Sequence, residues 1–455
     1  MAKLFKAREL DKEVKKELTL VSEDKYKLSI MRCFKQYSSS EFLLPFNYAE
    51  TKFPPSLISE IKGGGGKNGK FKEIPFKGEL RENQKLWVKE IIAILNRSFS
   101  VLISLYTGAG KTVIALYLIS KIKDKTLIVT HSRPIFKQWV HKIKEVYPGI
   151  KVKTVESIED LKGEEGEGED EPDVYITMES KLPWFSNKGI KLLIIDEAHC
   201  FYTENRYHNL LSITPDYIIA LTATYKRKDN MHMCLFKMIG EKNIFEVKNP
   251  NKFNFYRIKS HVFLEESFTV QGTIDYGKLC NDSCENEDLN ECIIDLVKNG
   301  CEKGKKFIIL TKRTEHCERL TKNLTSIGIE NDIMYKSKNK FVDSQVLVGT
   351  MNKLSVGFDQ ENSCGDSFSG KNFDSLILFN TIKDENAFAQ SIGRVMRSSD
   401  HISEIYWLEP KNDIFKKHFY SVNKLLKTLN CNLIELSTSE TRKTLKQKNM
   451  RELED

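Results

Sequence analysis

From Leu80 onward the chain alternates short apolar runs with amphipathic stretches. The runs "SVLISLY", "KTLIVTH", "DVYITM", "IKLLIID" and "YIIALTAT" are almost continuously hydrophobic, while "TVIALYLISKI" and "FKQWVHKIKEVY" carry apolar residues at helical spacing. Near-continuous apolar strands between helices predict a parallel sheet covered on both faces. The pattern loosens after about residue 245, through "KNPNKFNFYRIKSHVFLEESFTVQGTIDYGK", and then resumes. "NECIIDLVKNG", "TEHCERLTKNLTSIG" and "NAFAQSIGRVMR" read as helices; "KFIILTK", "SQVLVGT", "DSLILFN" and "EIYWLE" read as strands. The expected fold class is therefore α/β, with two blocks of similar size.

Composition punctuates this pattern. "GGGGKNGK", Gly63 to Lys70, reads as a flexible linker, since glycines bury nothing and are costly to order. The expected organisation is an N-terminal accessory region (1–62) with mixed signals, a linker (63–78), a first block (79–245), a connecting segment (246–284), a second block (285–430) and a charged tail (431–455). The tail's "ETRKTLKQKNMRELED" is expected to be a solvated helix or frayed end. "GEEGEGEDEP", Gly163 to Pro172, reads as a solvated acidic loop.

A chain of 455 residues has room for two or three domains. No apolar run approaches the roughly 18 residues of a membrane span, and "MAKLFKAREL" is too charged for a secretory leader. A cytosolic or nuclear location is expected. Ten irregularly spaced cysteines fit reduced thiols, and of Cys280, Cys284, Cys292 and Cys301 only the first pair has zinc-ligand spacing. The formal charge of +8 includes the acidic loop, so the rest of the chain is more basic still. That excess suits a polyanionic partner as readily as it suits a lysine-rich proteome.

The chemistry concentrates in "LYTGAGKTVIAL", Leu105 to Leu116. A strand, then Gly108, Gly110, Lys111 and Thr112, then a helix is the geometry phosphate binding needs. Glycines let backbone N–H groups wrap phosphates, the helix directs its positive end at them, Lys111 neutralises β/γ charge and Thr112 holds Mg²⁺. Leu105 stands where the fuller consensus has a glycine, which alters only the entry to the loop. "LLIIDEAH" ends an apolar strand in two carboxylates: Asp196 to hold Mg²⁺ through water, and Glu197 to orient or deprotonate the attacking water.

With these two motifs the sequence resembles the superfamily 2 helicases and translocases, from about Leu80 to about Pro410. "LRENQ" resembles the adenine-reading segment, with Gln84 as the base contact; "VTHSRPIFKQW" the segment touching a nucleic-acid backbone; and "LTAT" the motif coupling hydrolysis to movement. "VLVGTMNKLSVGFD" resembles the segment joining nucleic acid to ATP, and "QSIGRVMR" the Q-x-x-G-R-x-x-R helix. The resemblance implies two tandem RecA-like P-loop domains. It also implies ATP contacts at Gln84, Thr107, Gly108, Ala109, Gly110, Lys111, Thr112, Gly357 and Asp359.

Phosphoryl transfer gains about 10³- to 10⁵-fold from an arginine placed on the γ-phosphate. Arg394 and Arg397, three apart on an expected helix, share a face. They come from the second block, so cleft closure is expected to complete the site. Gln390, four residues before Arg394, is expected to orient water or phosphate.

A stepping enzyme must grip phosphates rather than bases. The expected nucleic-acid contacts are Arg133, Lys137, Thr177, Thr311, Lys312, Thr350 and Lys353, all near strand ends. Trp139 and Trp184 read as packing residues, with base stacking as the alternative. "PDVYITMESK" matches a nuclease-like P-D…E-x-K pattern, but on one strand Asp173 and Glu179 are about 20 Å apart, too far to share a metal.

"QW" after the first backbone segment and "LTKRTEHCERL" most resemble the branch with the poxvirus transcript-release helicase, the general transcription and repair factor's helicase subunit and phage recombination helicases, the large DNA virus helicases above all. Tyr225 replaces the usual proline of "TATP". The resemblance implies an ATP- and Mg²⁺-dependent 3′-to-5′ motor, on DNA in preference to RNA. Transcript release or repair is its expected setting, with RNA polymerase or transcription factors as partners, and packaging in a virion fits the viral resemblance. An RNA helicase and a non-catalytic nucleic-acid clamp are the alternatives.

Overall fold

The computed structural model describes residues 2–22, 28–59, 75–161, 171–355, 358, 360–396 and 402–438. The glycine tract, most of the acidic loop and the terminal charged segment, on which expectations were placed above, lie outside the described residues. The chain divides into two compact units, one of Met1–Tyr106 with Gly110–Val247, the other of Lys248–Asp455 with the loop tip Thr107–Ala109.

The first unit opens on β1 (Ala2–Lys6), β2 (Thr19–Val21), β3 (Ile30–Arg32), β4 (Lys35–Ser38), β5 (Glu41–Pro45) and β6 (Ile58–Ser59). Four of these form an antiparallel sheet in the order β4-β5-β1-β6, and β2 pairs with β3. Leu43, Leu44, Phe46 and Tyr48 join one continuous apolar core with Leu127, Leu193 and Leu235 of the following α/β layer. The helix Phe46–Lys52 packs on the helix Met233–Ile239. The N-terminal region is therefore part of the first unit.

β7 (Ser100–Leu105), β8 (Thr126–Thr130), β9 (Val152–Val155), β10 (Val174–Met178), β11 (Leu192–Ile195), β12 (Tyr217–Thr222) and β13 (Ile244–Val247) form a seven-stranded sheet. Its order is β13-β7-β12-β11-β8-β10-β9 and every pairing is parallel. Every residue of β7, β8 and β11 is buried, which is what helices on both faces impose and why these strands read as unbroken apolar runs.

The second unit repeats the plan with β14 (Phe253–Phe263), β15 (Phe307–Thr311), β16 (Asn331–Met334), β17 (Val346–Thr350), β18 (Ser375–Leu378), β19 (Ser403–Lys411) and β20 (Cys431–Ser437). The order is β16-β17-β15-β18-β19-β14-β20, again all parallel. Ile308 and Leu310 enter one apolar cluster while Phe307 and Ile309 enter another, so this sheet too is covered on both faces. Two of its strands fall where none was expected. β14 lies in the supposed connecting segment and β20 at the start of the supposed tail. Their half-polar sequences hide them: in β14 the buried Arg257 is satisfied by Glu409 of β19 at 2.7 and 2.8 Å and by Glu435 of β20 at 2.8 Å.

Candidate nucleotide site and nucleic-acid face

β7 ends at Leu105, and the loop that follows turns into the helix Lys111–Ile122 through two glycines with left-handed backbone, Gly108 at φ 87° and Gly110 at φ 84°. L-residues pay steric energy there and glycine does not. Leu105 is fully buried, and its carbonyl accepts the Lys111 ammonium at 3.0 Å. Gln84 is also buried, at the third position of the helix Glu82–Ser98. Its Oε1 accepts the Arg81 amide at 2.9 Å, capping the helix start, while its Nε2 lies 2.3 Å from where a Cβ on Gly110 would stand. The expected adenine contact is thus fixed beside the glycine loop.

The carboxylate pair sits at the end of β11, where the Asp196 amide donates to Val129 of β8 at 2.9 Å. Asp196 Oδ1 accepts the Glu197 amide at 2.9 Å and Oδ2 accepts the Trp139 indole N–H at 2.7 Å. Glu197 is left-handed (φ 50°), a conformation uncommon outside glycine and asparagine. Its Oε2 lies 3.3 Å from His199 Nδ1, which is 3.0 Å from the Thr222 hydroxyl. Thr222 also donates to the Thr224 carbonyl at 2.7 Å, so "DEAH" and "LTAT" are joined side chain to side chain.

Burial and the neighbouring Glu197 charge raise the Asp196 carboxyl above the usual range, against the Trp139 hydrogen bond and Lys111. Burial also opposes charge on Glu197, but the close approach of His199 and the charges of Lys111, His199 and His131 outweigh it and hold that carboxyl below the usual range. Burial disfavours the His199 cation too, yet Cys200 and Glu197 push it up to about 10. Adjacent carboxyls are thus pushed in opposite directions by their surroundings.

In the second unit Gln390 is buried near the end of the helix Glu385–Ile392. The expected helix does not run on through Arg394. After Gly393 the bonds Arg394 to Ser391 (3.2 Å) and Val395 to Ile392 (3.2 Å) span three residues, so the chain tightens into a turn and the four-residue spacing no longer sets a common face. The Arg394 guanidinium donates to the Phe358 carbonyl. Arg397, Gly357 and Asp359 lie outside the described residues.

The expected nucleic-acid contacts divide. Arg133 and Lys137 are exposed on the helix Arg133–Val146, Lys312 is exposed after β15, and Thr350 ends β17 half-buried. Lys353 is half-buried and donates to the Lys336 carbonyl at 3.0 Å and to Asn339. Thr177 and Thr311 are not exposed. Both are fully buried, the first donating to Val155 O at 2.8 Å and the second bonded to His316 at 2.8 Å and Asn380 at 3.1 Å. Each hydroxyl knits its strand end to a neighbour, which spacing along the chain does not reveal. Cys280, Cys284, Cys292 and Cys301 are buried, and among the described residues no three His, Cys, Asp or Glu side chains are grouped to hold a metal.

Tandem α/β units, a glycine phosphate loop and an Asp–Glu strand end tied to "LTAT" make up a P-loop-type fold of two RecA-like units. The chain is similar to superfamily 2 helicases. Residues 77–227 match the family described as Type III restriction enzyme, res subunit. The chain is 29% identical over 376 residues to 161L of Invertebrate iridescent virus 6, a protein named as a helicase, covering 77% of this chain and 81% of that one. It is 24% identical to the transcript termination protein A18 of Fowlpox virus, covering 70% and 73% of the two chains. It is also 24% identical to the DNA 3′-5′ translocase XPB2 of Sulfurisphaera tokodaii, covering 72% and 81%. The fold is shared with Saccharomyces cerevisiae Dbp5, in a structure bound to RNA and ADP BeF3, at a TM-score of 0.52 and 13% identity over 81% of this chain and 96% of that one.

Proposed function

We propose that the protein is a nucleic-acid-stimulated ATPase that moves along DNA in the 3′-to-5′ sense, in transcript release or repair. The observation that carries the reading is the pairing at the end of β11. Asp196 is fixed by two N–H donors, while Glu197 lies against His199 and is favoured in its ionised form by His199 and Lys111. Two neighbouring carboxylates with opposed environments have separable tasks.

Thr112 and Asp196 offer hard oxygen donors of the kind Mg²⁺ prefers, beside the lysine of a phosphate loop, and so fit the ion that accompanies ATP. When bound, that ion neutralises charge on the β- and γ-phosphates. Gly108, Gly110 and the helix start present backbone N–H groups to phosphate, and Lys111 exchanges the Leu105 carbonyl for phosphate oxygen. A carboxylate held below the usual range is a weak base, so Glu197 orients the attacking water and favours developing positive charge on it. Thr222, bonded to His199, is placed to pass the state of that pair on to the rest of "LTAT". Arg394 and Arg397 retain the transition-state role their motif implies. Arg133, Lys137, Lys312 and Thr350 are the contacts for the polymer backbone.

The DNA substrate and polarity draw on likeness to XPB2, and transcript release on likeness to A18. Lys111→Ala and Glu197→Gln are expected to abolish stimulated ATP hydrolysis while nucleic-acid binding stays measurable; unchanged turnover in either would sink the mechanism. ATPase stimulation by single-stranded DNA, duplex DNA, RNA and hybrid decides the polymer. A response to RNA alone overturns the DNA reading.

A further inference from the structure

Trp139 lies on the helix Arg133–Val146, two residues past the exposed Lys137, and points the other way. It is 1% exposed, and Ile135, Phe136, Ile143 and Val146 of the same helix are also buried. Its Nε1–H, a donor that burial obliges to find a partner, reaches Asp196 Oδ2 at 2.7 Å, across 57 positions of sequence. That distance falls in the range of charge-assisted hydrogen bonds. With the Glu197 amide on Oδ1 at 2.9 Å, each oxygen of the Asp196 carboxylate receives one donor from the protein. An ionised carboxylate has about four acceptor positions, so others are left for a cation's water shell, and the two donors determine where they point.

We propose that Trp139 is a positioning residue: its indole N–H fixes the plane of the Asp196 carboxylate and thereby sets how tightly the site takes up the Mg²⁺ that accompanies ATP. The indole suits the task because it is donor-only. It cannot accept a hydrogen bond from a metal-bound water or ligate the ion itself, as a histidine or hydroxyl could. Its rigid ring has few rotamers to lose. Donors standing behind a metal-side carboxylate are worth about 10- to 100-fold in metal affinity elsewhere. The inference rests on the reading of Asp196 as the metal-side carboxylate.

The test compares the full-length chain, Trp139→Phe, and a chain with benzothienylalanine placed site-specifically at 139, which keeps the shape of the indole and lacks only its N–H. Binding of a fluorescent, non-hydrolysable ATP analogue is titrated with MgCl₂, and steady-state ATPase kinetics are measured alongside. In both altered proteins the half-saturating Mg²⁺ concentration is expected to rise about 10-fold. Analogue binding without Mg²⁺ should be unchanged, and kcat at saturating Mg²⁺ should fall less than about threefold. A Mg²⁺ requirement equal to that of the unaltered chain overturns the proposal, as does a loss of analogue binding that is the same with and without Mg²⁺, the signature of a packing role alone. If Trp139→Phe fails to fold, the shape-preserving replacement decides. If the unaltered chain binds the analogue with no dependence on Mg²⁺, the reading of the site itself fails, an outcome distinct from the first two.

Discussion

Gly110→Ala tests the phosphate loop through its backbone. The residue sits at φ 84° and ψ 36°, where a β-carbon costs about 1–2 kcal/mol. The added Cβ would also stand 2.3 Å from Gln84 Nε2. Contact distance is well over 3 Å, so the amide must swing away, giving up its bond to the Arg81 amide, worth about 1 kcal/mol at a helix N-terminus. The sum is about 2–3 kcal/mol against the native loop. Because Gln84→Ala removes the same cap on its own, the two changes share that loss. The double variant should therefore be no less stable than Gly110→Ala, falling about 1 kcal/mol short of additivity. Urea unfolding followed by tryptophan fluorescence reads this directly, since Trp87, Trp139 and Trp184 lie in the first unit and only Trp407 in the second. Strict additivity, or a cost for Gly110→Ala under about 0.5 kcal/mol, would refute the reasoning.

Thr177→Val should cost about 1–2 kcal/mol by orphaning the Val155 carbonyl, yet leave nucleic-acid affinity unchanged; weakened binding in a fluorescence anisotropy titration, with stability intact, would restore Thr177 to the nucleic-acid face. Arg257→Met strands the buried Glu409 and should destabilise the second unit by about 3–5 kcal/mol, measured by its urea midpoint. Burial lowers His316 to about 3 and His418 to about 4, so both stay neutral when folded and take up protons on unfolding below about pH 6.5. Their contribution is complete above that pH and drains away as pH falls towards those values, by about 1.4 kcal/mol per pH unit for His316. His316→Gln should flatten this slope in urea titrations between pH 6.5 and 4.5, and an unaltered slope would count against it.

The parallel sheets and the loop chemistry were legible because both are local. Strands buried on two faces read as apolar runs, and Gly108 to Thr112 carry their geometry in adjacent residues. What escaped is what depends on partners far along the chain. β14 needs Glu409 and Glu435 to explain its buried arginine, Thr177 and Thr311 need their neighbouring strands to explain their burial, and Trp139 needs Asp196 to be more than packing. The turn after Gly393 escaped for a different reason, since "QSIGRVMR" has helical spacing throughout and a glycine permits the tightening without requiring it.

The shared core of the N-terminal sheet and the first α/β layer bears on how this chain can change by recombination. A crossover within residues 60–74 looks harmless on composition, yet it would separate Phe46 and Tyr48 from the helix Met233–Ile239 on which their own helix rests. The two segments have to be inherited as a matched pair. A chimera that exchanges the first 59 residues alone should lose solubility, whereas one that also carries the partner's 233–239 helix should keep it, so the natural seam of this protein lies between Val247 and Lys248.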